Sequence, residues 1–259
     1  MRVTQEQLRR QEEEFFQIAN GVLKEAKRRG VTLRLLGAIA FRSHCPKYKF
    51  MQYSLGRALT DIDFAAYSRE ASKVQRLFLD IGCSENQMVM RLFGRERRIF
   101  YYPDCGIHSD VFFDNLKFCH DINLSKRLNI DYPTIPVADL LLEKLQIVEI
   151  NEKDLIDSTM LLCEHLVADT DDDSINAVHV SDLCSRDWGL WRTVTGNLDR
   201  LESFLPRFIQ EDSDKGRALA GINSLRQAIA SKEKSFTWRM RARVGERKKW
   251  YREVEEVER

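Results

Sequence analysis

The sequence contains no apolar run that approaches the roughly 20 residues needed to span a bilayer. Its first segment, MRVTQEQLRRQEEEFF, is charged and lacks the apolar core of a signal peptide. We therefore expect a cytoplasmic protein that does not associate with membranes. In that compartment the 6 cysteines are expected to be reduced thiols.

Several short motifs that mark common enzyme classes are also missing. The sequence has no G-x-x-x-x-G-K-[ST], no G-x-S-x-G and no G-x-G-x-x-G, which removes the usual indications of P-loop, α/β-hydrolase and dinucleotide-binding proteins. Neither sign of charge is in excess, because 41 Lys and Arg residues face 40 Asp and Glu residues. Overall charge therefore does not predict nucleic-acid binding, which would need a local basic patch.

The order of periodic segments predicts the fold class. The length of 259 residues suits one large domain or two small ones packed together. Helical and strand-like segments alternate up to about residue 113, whereas the segments after Pro136 all have helical periodicity. We expect an α+β protein in which helices flank a mixed β-sheet and a helical C-terminal part follows. The expected domains are 1–135 and 136–259.

Individual elements follow from capping residues and periodicity. A helix is expected from Thr4, which can cap it, to about Arg29. A strand into Gly37 and a short helix after it come next. The other expected elements are a strand at 60–66, a helix at 68–82, strands at 86–93, 97–102 and 106–113, five helices between 136 and 230, and a charged helix at 239–259.

The segment RALTDIDFAAY places two acids in a predicted strand. Because side chains at positions i and i+2 of a strand point to the same face, Asp61 and Asp63 project side by side. Two neighbouring carboxylates repel each other and need water, cations or a metal ion nearby. Arg57, just before them, is a candidate phosphate contact.

A third acid lies in the segment GIHSDVFF. The same alternation places His108, Asp110 and Phe112 on one face of a strand. If this strand lies beside the 60–66 strand, Asp110 completes a cluster of three carboxylates. Such a cluster suits Mg²⁺ or Mn²⁺, and two bound metal ions can support phosphoryl or nucleotidyl transfer.

Gly37 follows a predicted strand and precedes a helix. A glycine there lets the backbone approach a ligand, and amides at a helix N-terminus attract phosphate. A simple tight turn explains the same glycine about equally well.

Together these segments, LLGAIAFRSHCP, LTDIDF and HSDV, resemble the nucleotidyltransferase-fold superfamily. The resemblance implies a nucleotidyltransferase-like sheet. It also implies that Gly37 and Ala38 form the phosphate-binding turn, and that Asp61, Asp63 and Asp110 hold the catalytic metal ions. In that superfamily the third acid often also acts as the base. Ala38 departs from the pattern, which has Gly or Ser there.

Lys144 lies within the apolar stripe of the predicted helix VADLLLEKLQIV, where its stem either covers the edge of the core or reaches a cleft. The segment LLLEKLQIVEINEKDLIDSTML resembles AbiEii-type nucleotidyltransferases, which include toxin-like members. That resemblance implies that Lys144 binds the triphosphate and that Asp157 orients the substrate. Lys153 and Asp157 also fit a simple i,i+4 surface pair.

The expected function is therefore a metal-dependent transfer of NMP from an NTP to an acceptor hydroxyl. The acceptor is RNA such as a tRNA end, a protein side chain or a small molecule. One alternative is a nucleotide-binding or protein-interaction module of the same fold without turnover. Another is a structural protein with solvated surface acids.

Overall fold

The protein is α+β, as the sequence predicts, with a mixed, open five-stranded sheet and a helical C-terminal part. The computed structural model describes residues 4–103 and 105–253. The chain divides into two compact units. Unit 1 comprises Met1–Leu116 and Asn123–Pro136, and unit 2 comprises Lys117–Ile122 and Val137–Arg259. Among the described residues, none of the helices has the length and apolarity required to cross a membrane.

Unit 1 contains the sheet and the helices around it. Its elements in chain order are α1 (Gln5–Arg28), β1 (Leu33–Leu36), α2 (Gly37–His44), α3 (Phe50–Ser54), β2 (Asp61–Ala66), α4 (Ala71–Asp80), β3 (Ser84–Glu85), α5 (Gln87–Phe93), β4 (Arg97–Tyr101) and β5 (His108–Phe113).

The strands of this sheet lie in the order β1-β2-β5-β4-β3. The central pair, β2 and β5, is parallel, and the other neighbours are antiparallel. Every residue of β5 is buried, as expected for a central strand covered on both faces. Aromatic side chains fill part of the core: Phe78 stacks on Phe100 at a centroid distance of 4.3 Å and meets Phe64 edge-on at 6.1 Å.

Helix α1 begins where the sequence predicts. The Thr4 side chain accepts a hydrogen bond from the Gln7 amide, and the Gln7 side chain accepts one from the Thr4 amide. This reciprocal capping box satisfies two backbone donors at the helix start. The buried face of α1 includes Leu8, Phe15 and Val22.

The strand expected at 86–93 is wrong, because these residues form α5. The Asn86 side chain caps the helix by accepting from the amides of Met88 and Val89, at 3.1 and 3.0 Å. Because methionine, leucine and arginine are good helix formers, the Asn86 cap is enough to make this segment helical.

Unit 2 is helical. The boundary between the units falls within two short strands, β6 (Asn115–Lys117) and β7 (Asp121–Asn123). The remaining elements are α6 (Val137–Leu145), α7 (Glu152–Glu164), β8 (Val167–Ala168), β9 (Ile175–Asn176), α8 (Ala177–Arg186), α9 (Trp188–Phe208), α10 (Asp212–Ser231) and α11 (Phe236–Val244).

The charged helix expected at 239–259 is shorter than predicted. Helix α11 ends at Val244, where Gly245 follows with φ +59°. Glycine adopts a positive φ without steric cost and commonly follows the last residue of a helix. A short 3₁₀ turn, Gly245–Arg247, follows, and residues 248–253 are not helical, while the expected residues 254–259 lie outside the described part of the chain.

Candidate metal centre

The two acidic segments lie on neighbouring parallel strands at the centre of the sheet. Strand β2 pairs with β5 so that Asp61 is opposite His108 and Asp63 is opposite Asp110. Since paired residues of adjacent strands point to the same face, all four side chains project from one side of the sheet. The structure therefore places the three acids that the sequence predicts on one face of the sheet, together with a histidine.

Asp61, His108 and Asp110 form a group that can hold a metal ion. Each offers one ligand atom, and these atoms all lie within 4.8 Å of one another. Asp63 does not belong to this group, so His108 stands in the set of three where the sequence predicts Asp63. A mixture of carboxylate oxygens and an imidazole nitrogen is a ligand set for divalent metal ions.

Burial differs across the group. The Asp110 side chain is only 1% exposed, whereas the Asp61 side chain is 17% exposed. Asp110 therefore lies at the buried end of the cluster, and Asp61 lies on the side that solvent reaches. An ion entering this group would pass Asp61 first.

Arg97 on β4 forms an ion pair with Asp110, through Nη2 and Oδ2. Its guanidinium also lies 5.2 Å from the centroid of the Phe112 ring. The pairing of β4 with β5 places Arg97 opposite Phe112, and Asp110 is the next residue of β5 on that face. Three carboxylates and one guanidinium carry a net negative charge that a divalent cation would offset.

Neither Arg97 nor His108 is assigned a role by the sequence patterns. Alternation does place His108 on the same face as Asp110, so its position follows from the pattern. The position of Arg97 depends on which strand pairs with β5, and nothing in the local sequence specifies that neighbour.

Gly37 adopts φ +66°, which favours glycine, and it begins α2. A Cβ atom built at this position would overlap Asp63 Oδ2 and would lie 3.1 Å from Asp63 Cγ. The pairing of β1 with β2 explains this approach, because Leu36 is opposite Asp63. The turn that begins α2, including Ala38, therefore lies directly beside the acidic strand.

The segment before β2 is held by α1 and α2. Arg42 Nη2 donates to the carbonyl of Arg57 at 2.8 Å. The Gln11 side chain makes two hydrogen bonds with the backbone of Leu59, at 3.0 and 2.8 Å. These bonds fix the main chain of the segment that contains Arg57.

Lys144 and Asp157 lie close together in unit 2. The lysine Nζ is 2.8 Å from Glu143 Oε1 and 3.7 Å from carboxylate oxygens of both Asp154 and Asp157. Burial opposes the charge of Lys144, but these three carboxylates outweigh it and hold the lysine pKa above its ordinary value. The ammonium is therefore positively charged at neutral pH. Lys153, by contrast, is exposed.

No protein-family model, curated protein or solved structure matches this chain.

Proposed function

We propose that the protein is a metal-dependent nucleotidyltransferase that moves an NMP from an NTP to an acceptor hydroxyl. The observation that supports it is the convergence of Asp61, Asp63 and Asp110 from two paired parallel strands, beside the Gly37 turn. Mg²⁺ or Mn²⁺ is the proposed metal. When bound, the cation neutralises phosphate charge and polarises the phosphoryl group.

The acids have different proposed roles. Asp61 holds the metal from β2 and Asp110 holds it from β5, while Asp63, which lies outside the group of three, is a further proposed ligand on the same face. Asp110 also accepts the proton of the acceptor hydroxyl as that oxygen attacks the α-phosphorus, whose bond to the bridging oxygen breaks so that pyrophosphate leaves. The ion pair with Arg97 fixes the orientation of the Asp110 carboxylate.

The proposed contacts to the nucleotide come from main chain and cations. The amides of Gly37 and Ala38 donate to phosphate at the start of α2, where the helix dipole favours an anion. The Arg57 guanidinium contacts phosphate near β2. The roles of Lys144 and Asp157, which lie in unit 2, rest on the resemblance alone; the positive charge on Lys144 suits it to an anionic ligand.

A labelling experiment tests this function. The protein is incubated with each α-labelled NTP, Mg²⁺ or Mn²⁺, and three classes of acceptor: RNA, proteins and small molecules. Wild type is compared with Asp61→Asn and Asp110→Asn. Asp80→Asn is the matched control, because Asp80 lies in the same unit but pairs with Arg29.

Wild type and the control should transfer label to one acceptor class, and the two site variants should lose at least about 100-fold of that activity, since removing one charged catalytic group typically costs that much. Equal product in all four proteins would show that these acids do not perform the chemistry.

A nucleotide-binding module without turnover is the second candidate. The Arg97–Asp110 ion pair favours it, because a guanidinium already neutralises the carboxylate that would take the proton. Ala38 in place of the usual Gly or Ser points the same way. Calorimetry separates the two functions: NTP binding that is independent of metal and gives no product supports the module.

A further inference from the structure

His108 is a buried residue whose Nε2 atom makes no hydrogen bond with the described part of the chain. The residue is 9% exposed, at the first position of β5. Its Nε2 lies 3.9 Å from Asp61 Oδ2, which is too long for a hydrogen bond. The nitrogen is therefore directed at the acidic cluster without bonding to it.

The other four histidines differ in this respect. Each has a ring nitrogen within hydrogen-bonding distance of an oxygen in its own unit. The pairs are His44 with Thr134 at 2.6 Å, His120 with Thr193 at 2.9 Å, His165 with the Asp173 carbonyl at 3.0 Å, and His179 with Asp139 at 2.9 Å. Buried polar atoms normally have such partners, so an unbonded Nε2 indicates a partner other than protein.

The distances between the possible ligand atoms suit a metal ion as the partner of His108 Nε2. With metal–ligand bonds of about 2.1 Å, neighbouring ligands of an octahedral ion are about 3 Å apart and opposite ligands about 4.2 Å. The 3.9 Å between His108 Nε2 and Asp61 Oδ2 falls within this interval. The full group with Asp110 spans at most 4.8 Å, so small side-chain shifts close it around one ion.

We propose that His108 Nε2 is a direct ligand of the metal, together with Asp61 and Asp110, and that this nitrogen makes the site prefer a first-row transition-metal ion to Mg²⁺. Mg²⁺ favours oxygen ligands and keeps its waters, whereas transition-metal ions accept imidazole. The inference rests on the metal site of the proposed function and adds a ligand and a metal preference to it.

The charge of the site agrees with this assignment. A neutral imidazole adds a donor without adding charge, so Arg97 and the acids still leave a net negative site for a dication. An imidazole that only paired with Asp61 would instead compete with a cation for that carboxylate, so the two roles predict opposite effects of removing the ring.

The test uses Mn²⁺ and Mg²⁺ as probes, on the whole protein and without nucleotide. His108→Phe removes the nitrogen and keeps a ring, and Tyr101→Phe is the control because Tyr101 lies beside His108, with ring centroids 6.0 Å apart. Calorimetry should show a loss of at least about tenfold in Mn²⁺ affinity for His108→Phe, and less than about threefold for Mg²⁺. Tyr101→Phe should bind both ions as wild type does.

Electron spin echo spectroscopy of bound Mn²⁺ gives a second measurement. Wild type labelled with ¹⁵N-histidine should show coupling to a coordinated nitrogen, and His108→Phe should not. Absence of nitrogen coupling in wild type is decisive even if the variant fails to fold, whereas assigning an observed coupling to His108 needs the variant. Absence of nitrogen coupling, an unchanged spectrum in the variant, or tighter Mn²⁺ binding by His108→Phe would overturn the proposal.

These outcomes are separable from those of the labelling experiment. If Mn²⁺ binds through His108 but no NMP is transferred with either ion, the ligand assignment holds and the nucleotidyltransferase proposal fails. If transfer is equally fast in Mg²⁺ and in Mn²⁺ and His108→Phe retains both rates, the transferase proposal holds and the ligand assignment fails.

Discussion

Asp63 Oδ2 occupies the position that a side chain at residue 37 would need. Gly37 and Asp63 are therefore matched to each other, since the left-handed turn at Gly37 allows α2 to begin beside the acidic strand. This close approach explains the glycine by packing alone. A phosphate-binding role for the same turn is compatible with it and depends on the proposed function.

Replacing Gly37 with alanine should destabilise unit 1 strongly. The positive φ costs roughly 1–2 kcal/mol for an L-residue, and overlap with Asp63 adds roughly 1–3 kcal/mol. Gly30→Ala is the control, because Gly30 has φ +63° but no atom of the described residues lies within 4 Å of the added atom. Urea unfolding should show the larger loss for Gly37→Ala.

A double variant isolates the contact with Asp63. In an Asp63→Ala background the carboxylate overlap is gone and only the Cβ atom of residue 63, 3.2 Å from the added atom, remains close, so Gly37→Ala should cost little more than Gly30→Ala. If Gly37→Ala costs the same with and without Asp63, the approach of these two residues does not matter for stability.

Removing Arg97 should make the stability of unit 1 depend on divalent metal. The Arg97→Met substitution leaves the Asp110 carboxylate, 1% exposed, without its guanidinium partner, and breaking such a pair typically costs about 3 kcal/mol. A divalent cation bound at Asp110 replaces the lost positive charge. Thermal unfolding in EDTA and in excess MnCl₂ should therefore differ more for Arg97→Met than for wild type.

The neighbouring residue supplies the control. Arg98 Nη1 lies 3.4 Å from Glu85 Oε1, and the Glu85 side chain, like that of Asp110, is only 1% exposed. Glu85 is not part of the metal group. Arg98→Met should lose stability in the same way and gain nothing from MnCl₂. Equal recovery of both variants would show that the metal acts elsewhere.

The sequence predicts much of the local structure of unit 1. Alternation correctly assigns β2 and β5, and the Thr4 cap correctly begins α1. These predictions hold because the signals are local: each depends on residues a few positions apart. The helix α5 shows the limit, since the eight residues from Asn86 to Phe93 contain apolar residues that fit either a strand or a capped helix.

The sequence does not predict which residues form the metal group, for a different reason. Alternation indicates which side chains share a face, but it does not indicate which strands are neighbours or in what register. The position of His108 opposite Asp61 and the contact of Arg97 with Asp110 both depend on that register. Strand pairing is determined by contacts between distant parts of the chain, which one sequence does not reveal.

Arg42 should control the order of the segment that precedes β2. Its side chain is fully buried and donates to Gln52 Oε1 at 2.7 Å and to the Arg57 carbonyl at 2.8 Å. Arg42→Met removes these bonds and should cost about 3 kcal/mol, because buried acceptors then lose their partners. Amide exchange in residues 57–60 should accelerate more than the loss in global stability explains.

Two further variants define this effect. Gln11→Ala removes the two hydrogen bonds to the Leu59 backbone. It should therefore accelerate exchange of the Leu59 amide while leaving the hydrogen bonds of Arg42 in place. Arg34→Met is the control, since Arg34 binds the Asp131 carbonyl elsewhere in unit 1. Faster exchange at 57–60 in Arg34→Met would indicate general loosening rather than a specific restraint.

His120 in unit 2 is a buried histidine that folding keeps neutral. It is 5% exposed, and its Nε2 lies 2.9 Å from Thr193 Oγ1, which also accepts a hydrogen bond from Trp250 Nε1. Burial lowers the pKa of His120 below its ordinary 6.5. Asp187 opposes this shift more weakly than burial causes it, and the smaller effects of Arg252 and Asp121 lower and raise the pKa, respectively.

Unit 2 should therefore lose stability in mild acid. Below about pH 6.5 the unfolded chain protonates this imidazole while the folded chain does not, so the unfolded state binds more protons and the free energy of unfolding falls as pH decreases. His120→Gln should flatten this slope between pH 7 and pH 5, because glutamine does not titrate. NMR titration of the wild-type ring should give a midpoint below 6.5. A midpoint above that value, or an equal slope in the variant, would contradict the assignment of this acid sensitivity to His120.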